Sequence, residues 1–278
     1  MGKWKTILRW AFVSAGIVVL TSVTVDATLS PNGFSQSALG ILASSAVPKK
    51  ECPNGSARIE VDGKSLCVDQ YEASPGQDCT YKTVSNTLET RTNSEARLCA
   101  PESSGGKRPW VFVTYHQAKE LCAKAGKRLL TNREWYEAVI GTPDESTSPS
   151  CNTKGGTVVP TGEKANCVTP KSIHDGIGNV WEWVDASVSD RKYEDRTVPA
   201  SGYITEADPS GVAVNTSSDN TGSSYHDDYF WSEEQGEFGM IRGGYFGSGT
   251  DAGMYSIQAK TAMAFSGNAI GFRCALSL

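Results

Sequence analysis

The residues best suited to chemistry in this 278-residue chain fall in two stretches. The first is Asp175-Gly-Ile-Gly-Asn-Val-Trp-Glu-Trp183, where two carboxylates, Asp175 and Glu182, flank a glycine-bearing turn with carbonyls on offer. Hard oxygen donors in a flexible loop suit Ca²⁺. Glu182 reads equally well as a group that satisfies buried backbone donors beside Trp181 and Trp183. The second stretch runs from Arg242 to Ala275 and is spaced throughout by glycine and alanine. Its Tyr245, Phe246, Ser248, Asp251, Tyr255, Thr261, Phe265 and Ser266 combine rigid aromatic anchors with adaptable hydrogen bonders. That is the chemistry of a binding face. On composition alone an ordinary loop-rich surface is the better reading.

Other chemistries find little support. The three histidines, His116, His174 and His226, are scattered. His226 sits in Tyr225-His-Asp-Asp-Tyr229, but one histidine with neighbouring aspartates is not the two-histidine, one-carboxylate set of a non-haem iron centre. The eight cysteines include no C-x-x-C pair, so zinc is a weak reading. No P-loop, G-x-S-x-G or H-E-x-x-H pattern occurs. A net charge of −5 and the lack of any basic stripe exclude nucleic acid as a partner class.

These residues must be positioned by a domain that begins well inside the chain. Lys3, Lys5 and Arg9 precede an apolar run from Trp10 to Val25, and Val25-Asp-Ala27 resembles a small-residue cleavage site. Residues 1–27 therefore read as a signal peptide or, uncleaved, as an N-terminal anchor. Residues 28–50, rich in Ser, Ala and Gly, read as a flexible linker. All eight cysteines follow, as expected of disulfides in an exported chain. The expected location is periplasmic, cell-surface or secreted, with membrane contact only through the N-terminal segment.

From Cys52 onward the patterning is that of a folded domain, residues 51–278. Ala57-Arg-Ile-Glu-Val alternates, Asp62-Gly63 turns, and Lys64-Ser-Leu-Cys-Val returns, which predicts a β-hairpin flanked by Cys52 and Cys67. Proximity in sequence suggests further pairs, Cys79 with Cys99 and Cys151 with Cys167. Two short helices are punctuated at both ends. Thr114 and Gln117 have capping-box spacing before Ala118, Leu121 and Cys122, with Gly126 as the stop; Thr131 and Glu134 repeat it before Trp135, Ala138 and Val139, with Gly141 closing. Residues 185–239 are polar, show no helical or strand period, and read as a long insert of functional or mobile loop.

Arg242-Gly-Gly244, Gly271-Phe-Arg-Cys-Ala275, Gly178-Asn-Val-Trp-Glu-Trp183 and the run Ala118-Lys-Glu-Leu-Cys-Ala-Lys-Ala-Gly-Lys-Arg-Leu129 with Thr131-Asn-Arg-Glu-Trp135 resemble the sulfatase-modifying-factor family. That family includes the formylglycine-generating enzyme. The resemblance implies a single α+β, loop-rich, C-type-lectin-like domain with two short helices and small antiparallel sheets. It also implies a Cys122–Cys274 disulfide, and a calcium site made of the Asp175 and Glu182 side chains with the Gly178 and Val180 carbonyls. The family's copper-binding cysteine pair falls on Ser248 and Gly253, and its active-site serine on Tyr245. Serine and glycine cannot hold Cu(I), so no copper is expected.

The spacing from Arg242 through Gly249-Thr-Asp-Ala-Gly253 to Ala275 also resembles the variable region of diversity-generating-retroelement target proteins. In those proteins asparagine codons mutated at adenines give residues such as those at Tyr245, Gly247, Ser248, Asp251, Thr261, Phe265, Gly267 and Ala269. The expected function is an exported, non-catalytic domain that binds or displays through its C-terminal face, its partner a protein or a glycan. The alternative is a family oxidoreductase, of formylglycine-generating or non-haem iron type, with an atypical site.

Overall fold

The computed structural model describes residues 51–144, 150–220 and 224–278; the signal and linker readings of residues 1–50 lie outside the described residues. The chain divides into two units, and Cys52–Leu278 is the one that holds every described element.

Strands β1 (Ser56–Val61) and β2 (Lys64–Asp69) form the expected hairpin, in register Val61↔Lys64 to Ser56↔Asp69. Asp62 (φ 49°) and Gly63 (φ 75°) both take the left-handed conformation that a two-residue turn of this hand requires. The C-terminal strand β15 (Cys274–Ser277) adds antiparallel to β2, and the short β5 (Arg128–Leu129) closes this four-stranded sheet. Strands β3 (Ala73–Pro75) and β4 (Pro101–Ser103) make a separate pair.

The two expected helices are α2 (Tyr115–Lys124) and α3 (Asn132–Val139), each opened by a complete capping box. Thr114 Oγ1 accepts from the Gln117 amide while Gln117 Oε1 accepts from the Thr114 amide, at 3.2 and 3.0 Å. Each cap contributes about 1 kcal/mol. A third helix, α1 (Thr87–Glu95), has no counterpart in the hydrophobic pattern, because the residues it buries are Thr90 and Asn93. Its start is marked all the same: Asn86 caps the Glu89 amide, and Glu89 Oε2 accepts from the Ser85 amide.

The larger sheet corrects one expectation. Beside the two small antiparallel sheets expected of an α+β fold there is a nine-stranded mixed sheet, and about half of residues 185–239 belong to its strands. Its strands are β6 (Trp181–Ser189), β7 (Lys192–Tyr193), β8 (Arg196–Thr197), β9 (Gly202–Ala207), β10 (Ala213–Ser217), β11 (Tyr229–Ser232), β12 (Glu237–Arg242), β13 (Ile257–Thr261) and β14 (Ile270–Phe272). The order is β10-β9-β11-β13-β12-β6-β7-β8, with β14 beside β6; β11–β13 and β14–β6 are parallel. The insert is therefore folded, and Val188, Val198, Ile204, Val212 and Phe230 from it are buried in the core. Its strands are too short, and too often broken by left-handed residues such as Asp190, Arg191 and Glu194, to show a period in sequence.

All eight cysteines are paired as expected: Cys52–Cys67, Cys79–Cys99, Cys122–Cys274 and Cys151–Cys167. The third joins α2 to β15 across 152 residues of chain.

Candidate functional site

The motif arginines frame the C-terminal segment. Arg242, at the end of β12, is fully buried and donates to Asn132 Oδ1 (2.7 Å) and to the Met254 carbonyl (2.7 Å). Its guanidinium lies 4.8 Å from the centre of the Trp135 ring. Burial lowers its pKa to about 10. Arg273, between β14 and β15, is also fully buried and grips Glu182 with two donors, Nε to Oε2 at 2.7 Å and Nη2 to Oε1 at 2.5 Å. It also donates to the carbonyls of Asp69 and His174. Trp135 Nε1 takes Glu182 Oε2 as well, at 2.7 Å. Both arginines hydrogen-bond within the fold and tie the two ends of residues 242–273 to α3 and β6.

The same geometry bears on the proposed calcium ligands. Asp175 and Glu182 share a buried pocket with Glu72 and Arg273. Burial, then the charges of Asp175 and Glu182, hold the Glu72 carboxyl well above the usual range; burial pushes Asp175 up to about 6, against the pull of the Gly162 amide and Arg273. Both Glu182 oxygens are engaged, whereas Asp175 Oδ2 accepts from the Gly162 amide at 2.6 Å and its buried Oδ1 has no partner. Among the described residues no three His, Cys, Asp or Glu side chains are grouped to hold a metal ion. Of the carboxylate oxygens in the Asp175, Gly178, Val180 and Glu182 set, Asp175 Oδ1 is the one without a partner, while those of Glu182 already accept from Arg273 and Trp135.

No thiolate is available for copper, because every cysteine is in a disulfide. Ser248 Oγ accepts from the Tyr245 amide at 3.0 Å and shapes a turn. At Gly253 a Cβ would lie 1.8 Å from an Asp228 carboxylate oxygen, so in this fold no side chain fits there.

The eight expected contact residues do not form one patch. Tyr245 and Phe265 do meet: with Trp181, Gln258, Asn268 and Ile270 they line an open groove of about 350 Å³. Phe265 is 53% exposed. Thr261 is buried and acts on the groove indirectly, its hydroxyl holding Gln258 Oε1 at 2.6 Å. Ser266 faces a different depression, beside Leu88, Arg91 and Gln117. Phe246 packs edge-on against Tyr245 and beside Val111, Val158 and Val180. Asp251 belongs to a tight turn closed by the Ser256 hydroxyl. The Tyr255 hydroxyl meets that of Tyr136 at 3.2 Å, and its amide donates to the buried Asp228.

Sequence reasoning missed the floor of the groove and its continuation. Trp181 touches Trp231 edge-to-face at 5.6 Å, Trp231 lies 4.6 Å from Tyr229, and Tyr229 5.0 Å from Tyr203, all between ring centres. Tyr229↔Tyr203 and Trp231↔Gln258 are paired across strands and so share one face, while Phe230 and Ser232 turn inward. At 229–232 the aromatic Tyr229 and Trp231 face out while Phe230 and the polar Ser232 face in, so hydrophobicity does not alternate and the strand shows no period in sequence.

Comparison with known proteins places the chain. Residues 40–278 match the family model described as the sulfatase-modifying factor enzyme 1-like domain. A curated relative, the "Inactive C-alpha-formylglycine-generating enzyme 2" of Bos taurus, is 29% identical over 144 residues, 43% of this chain and 47% of its own. The chain thus matches about half the length of that relative. Among solved structures, the Major Tropism Determinant I1 variant is 15% identical with a TM-score of 0.47, covering 81% of this chain and 53% of that one. PvdO from Pseudomonas aeruginosa is 17% identical with a TM-score of 0.40, covering 82% and 100%. With the family model matching residues 40–278, the chain belongs to the family of proteins that carry the sulfatase-modifying factor enzyme 1-like domain.

Proposed function

We propose that this is a non-catalytic member of its family, exported and acting as a ligand-binding or display domain through the face built by residues 242–273. One observation carries the reading: Tyr245 and Phe265, twenty residues apart and framed by two buried arginines, line the same open groove. The fixed frame with aromatic and small polar residues between its ends is what a diversified binding surface requires, as the likeness to retroelement-diversified proteins suggested. Disulfides at all eight cysteines fit an oxidising compartment and hence export. The name of the bovine relative, which calls that protein inactive, favours the same side. The oxidoreductase alternative would need copper or iron held without a free thiolate.

The test compares the wild-type chain with Tyr245→Ala and Phe265→Ala in a binding screen against immobilised glycans and cell-surface proteins. Binding should be lost while the unfolding temperature stays within about 2 °C, since both rings are at least partly exposed. Unchanged binding in both variants would overturn the assignment of the face, and stoichiometric copper or iron in the purified protein would favour the enzyme. Calcium at Asp175, Gly178, Val180 and Glu182 is a separate proposal, supported by the unpartnered Asp175 Oδ1. A rise in unfolding temperature on adding Ca²⁺ after EDTA treatment would sustain it. No change would leave Glu182 as the counter-ion of Arg273 alone.

A further inference from the structure

The five tryptophans of the folded unit divide into two groups. Trp110, Trp135 and Trp183 each donate their indole N–H to a protein acceptor: Thr90 Oγ1 at 3.2 Å, Glu182 Oε2 at 2.7 Å and the Val113 carbonyl at 3.0 Å. That is the ordinary state of a buried tryptophan. Among the described residues, Trp181 and Trp231 have no protein acceptor for theirs, and neither N–H belongs to the buried unpartnered groups, so both are open to solvent. Trp181 is only 4% exposed, and it is the ring that joins the Tyr245–Phe265 groove to the row Trp231, Tyr229 and Tyr203. At the point where an aromatic groove meets an aromatic row, this solvent-reaching N–H is available to an acceptor carried by a ligand.

The remaining lining narrows what that ligand is. No Asp, Glu, Lys, Arg or His lines the groove. Its polar side chains are the phenol of Tyr245 and the amides Gln258 and Asn268, and an amide both donates and accepts. Thr261 occupies Gln258 Oε1, which leaves the Gln258 amino group to donate. The volume, about 350 Å³, is at the lower end of the small-molecule range and open at one side. The ligand must therefore be uncharged, carry apolar faces to lie on aromatic rings, and bear hydroxyls that accept from indole and amide donors and give back to amide oxygens. Sugar rings meet all three demands.

We propose that the groove binds an uncharged glycan. One ring lies against Tyr245 and Phe265 with the Trp181 N–H at its edge, and the chain of sugars continues over Trp231 and Tyr229 towards Tyr203. This rests on the binding reading above and names the ligand class of the same face. It also gives the strands of residues 185–239 a role, since β9 and β11 supply the outer half of the platform. An uncharged aromatic centre suits a protein partner too; a sugar is favoured by the small size of the groove and by the two amides, Gln258 and Asn268, that line it.

The full chain should be tested on an array of neutral, acidic and amino-sugar oligosaccharides, with tryptophan fluorescence titrations on the hits. Saturable binding to neutral glycans is expected, with a change in indole emission. Trp231→Ala should weaken it about tenfold or more, and Trp231→Phe, which keeps a ring but removes the donor, about fivefold. Circular dichroism establishes that each variant is folded; the phenylalanine variant is the informative one should the alanine variant fail. Preference for charged glycans, or equal affinity of wild type and Trp231→Phe, overturns the proposal. If no glycan binds, the sugar assignment is overturned; should a protein then bind in a manner sensitive to Tyr245→Ala and Phe265→Ala, the binding face survives without it. Binding insensitive to those two substitutions defeats both.

Discussion

Replacing Glu182 with glutamine tests the claim that the motif arginine is a structural anchor. In the native fold Glu182 is 1% exposed at its side chain and Arg273 0%, and two donors of Arg273 end on its carboxylate. Glutamine keeps the shape but removes the charge and turns an amino group towards a guanidinium that can only donate. Breaking one partner of a buried ion pair costs about 3–5 kcal/mol. Here the lower end applies, near 3 kcal/mol, because Glu72 and Asp175 share the pocket and can ionise in its place. For a domain of this size that is a fall in unfolding temperature of roughly 6–12 °C. The control is Glu134→Gln, which disturbs a pair with Arg128 whose side chains are 14% and 39% exposed and keeps the capping geometry. It should cost about 1 kcal/mol or less. Urea and thermal unfolding of both variants, in EDTA so that no ion competes, give the comparison directly. If Glu182→Gln lost no more than Glu134→Gln, the anchoring account of the GFRCA motif would be refuted.

Three further outcomes are expected. Asp228 is fully buried with Oδ1 unpartnered, and burial, then the nearby Asp144, raises its pKa well above the usual range. The folded state keeps a proton that the unfolded chain releases near pH 4, so this group's contribution to stability falls as pH rises from about 4 to the folded pKa, then levels. Asp228→Asn should remove that slope and hold or raise the unfolding temperature at neutral pH; a steeper loss on going from pH 5 to 8 would contradict the assignment. Removing the Cys122–Cys274 bond by a double serine substitution opens a 152-residue span and should cost up to about 5 kcal/mol on a chain-entropy account, read as a shift in the urea midpoint. Sequencing the DNA around the gene should find a near-copy of the codons for residues 242–273 that differs only at adenines, beside a reverse transcriptase. Its absence would leave a binder of fixed surface.

Local chemistry was legible from sequence wherever neighbouring residues decide the outcome. The Asp62-Gly63 hairpin and the capping boxes at Thr114 and Thr131 depend on groups a few residues apart, and three of the disulfides join cysteines 15 to 20 residues apart that are neighbours in the cysteine order. The fourth disulfide, Cys122–Cys274, came from family resemblance, since no local rule links residues 152 apart. Helix α1 escaped notice because it buries Thr90 and Asn93 through hydrogen bonds to the Val111 carbonyl and to the backbone of Tyr81, not through an apolar stripe.

The binding residues divide along the same line. Composition identified Tyr245 and Phe265 as anchors in a Gly/Ser-rich frame, and the frame itself was marked by Arg242 and Arg273. Which side chains share a surface was decided only by the sheet. The parallel pairing of β11 with β13 sets Trp231 beside Gln258, and β6, on the far side of β12 in the same sheet, brings Trp181 to the groove, although the three come from separate stretches of chain. Strand register turned Thr261 inward, and packing sent Tyr255 to Tyr136 and Phe246 to a small apolar cluster. Sequence fixes the residue types and the local geometry; the face each one presents is a property of long-range pairing, which no short window contains.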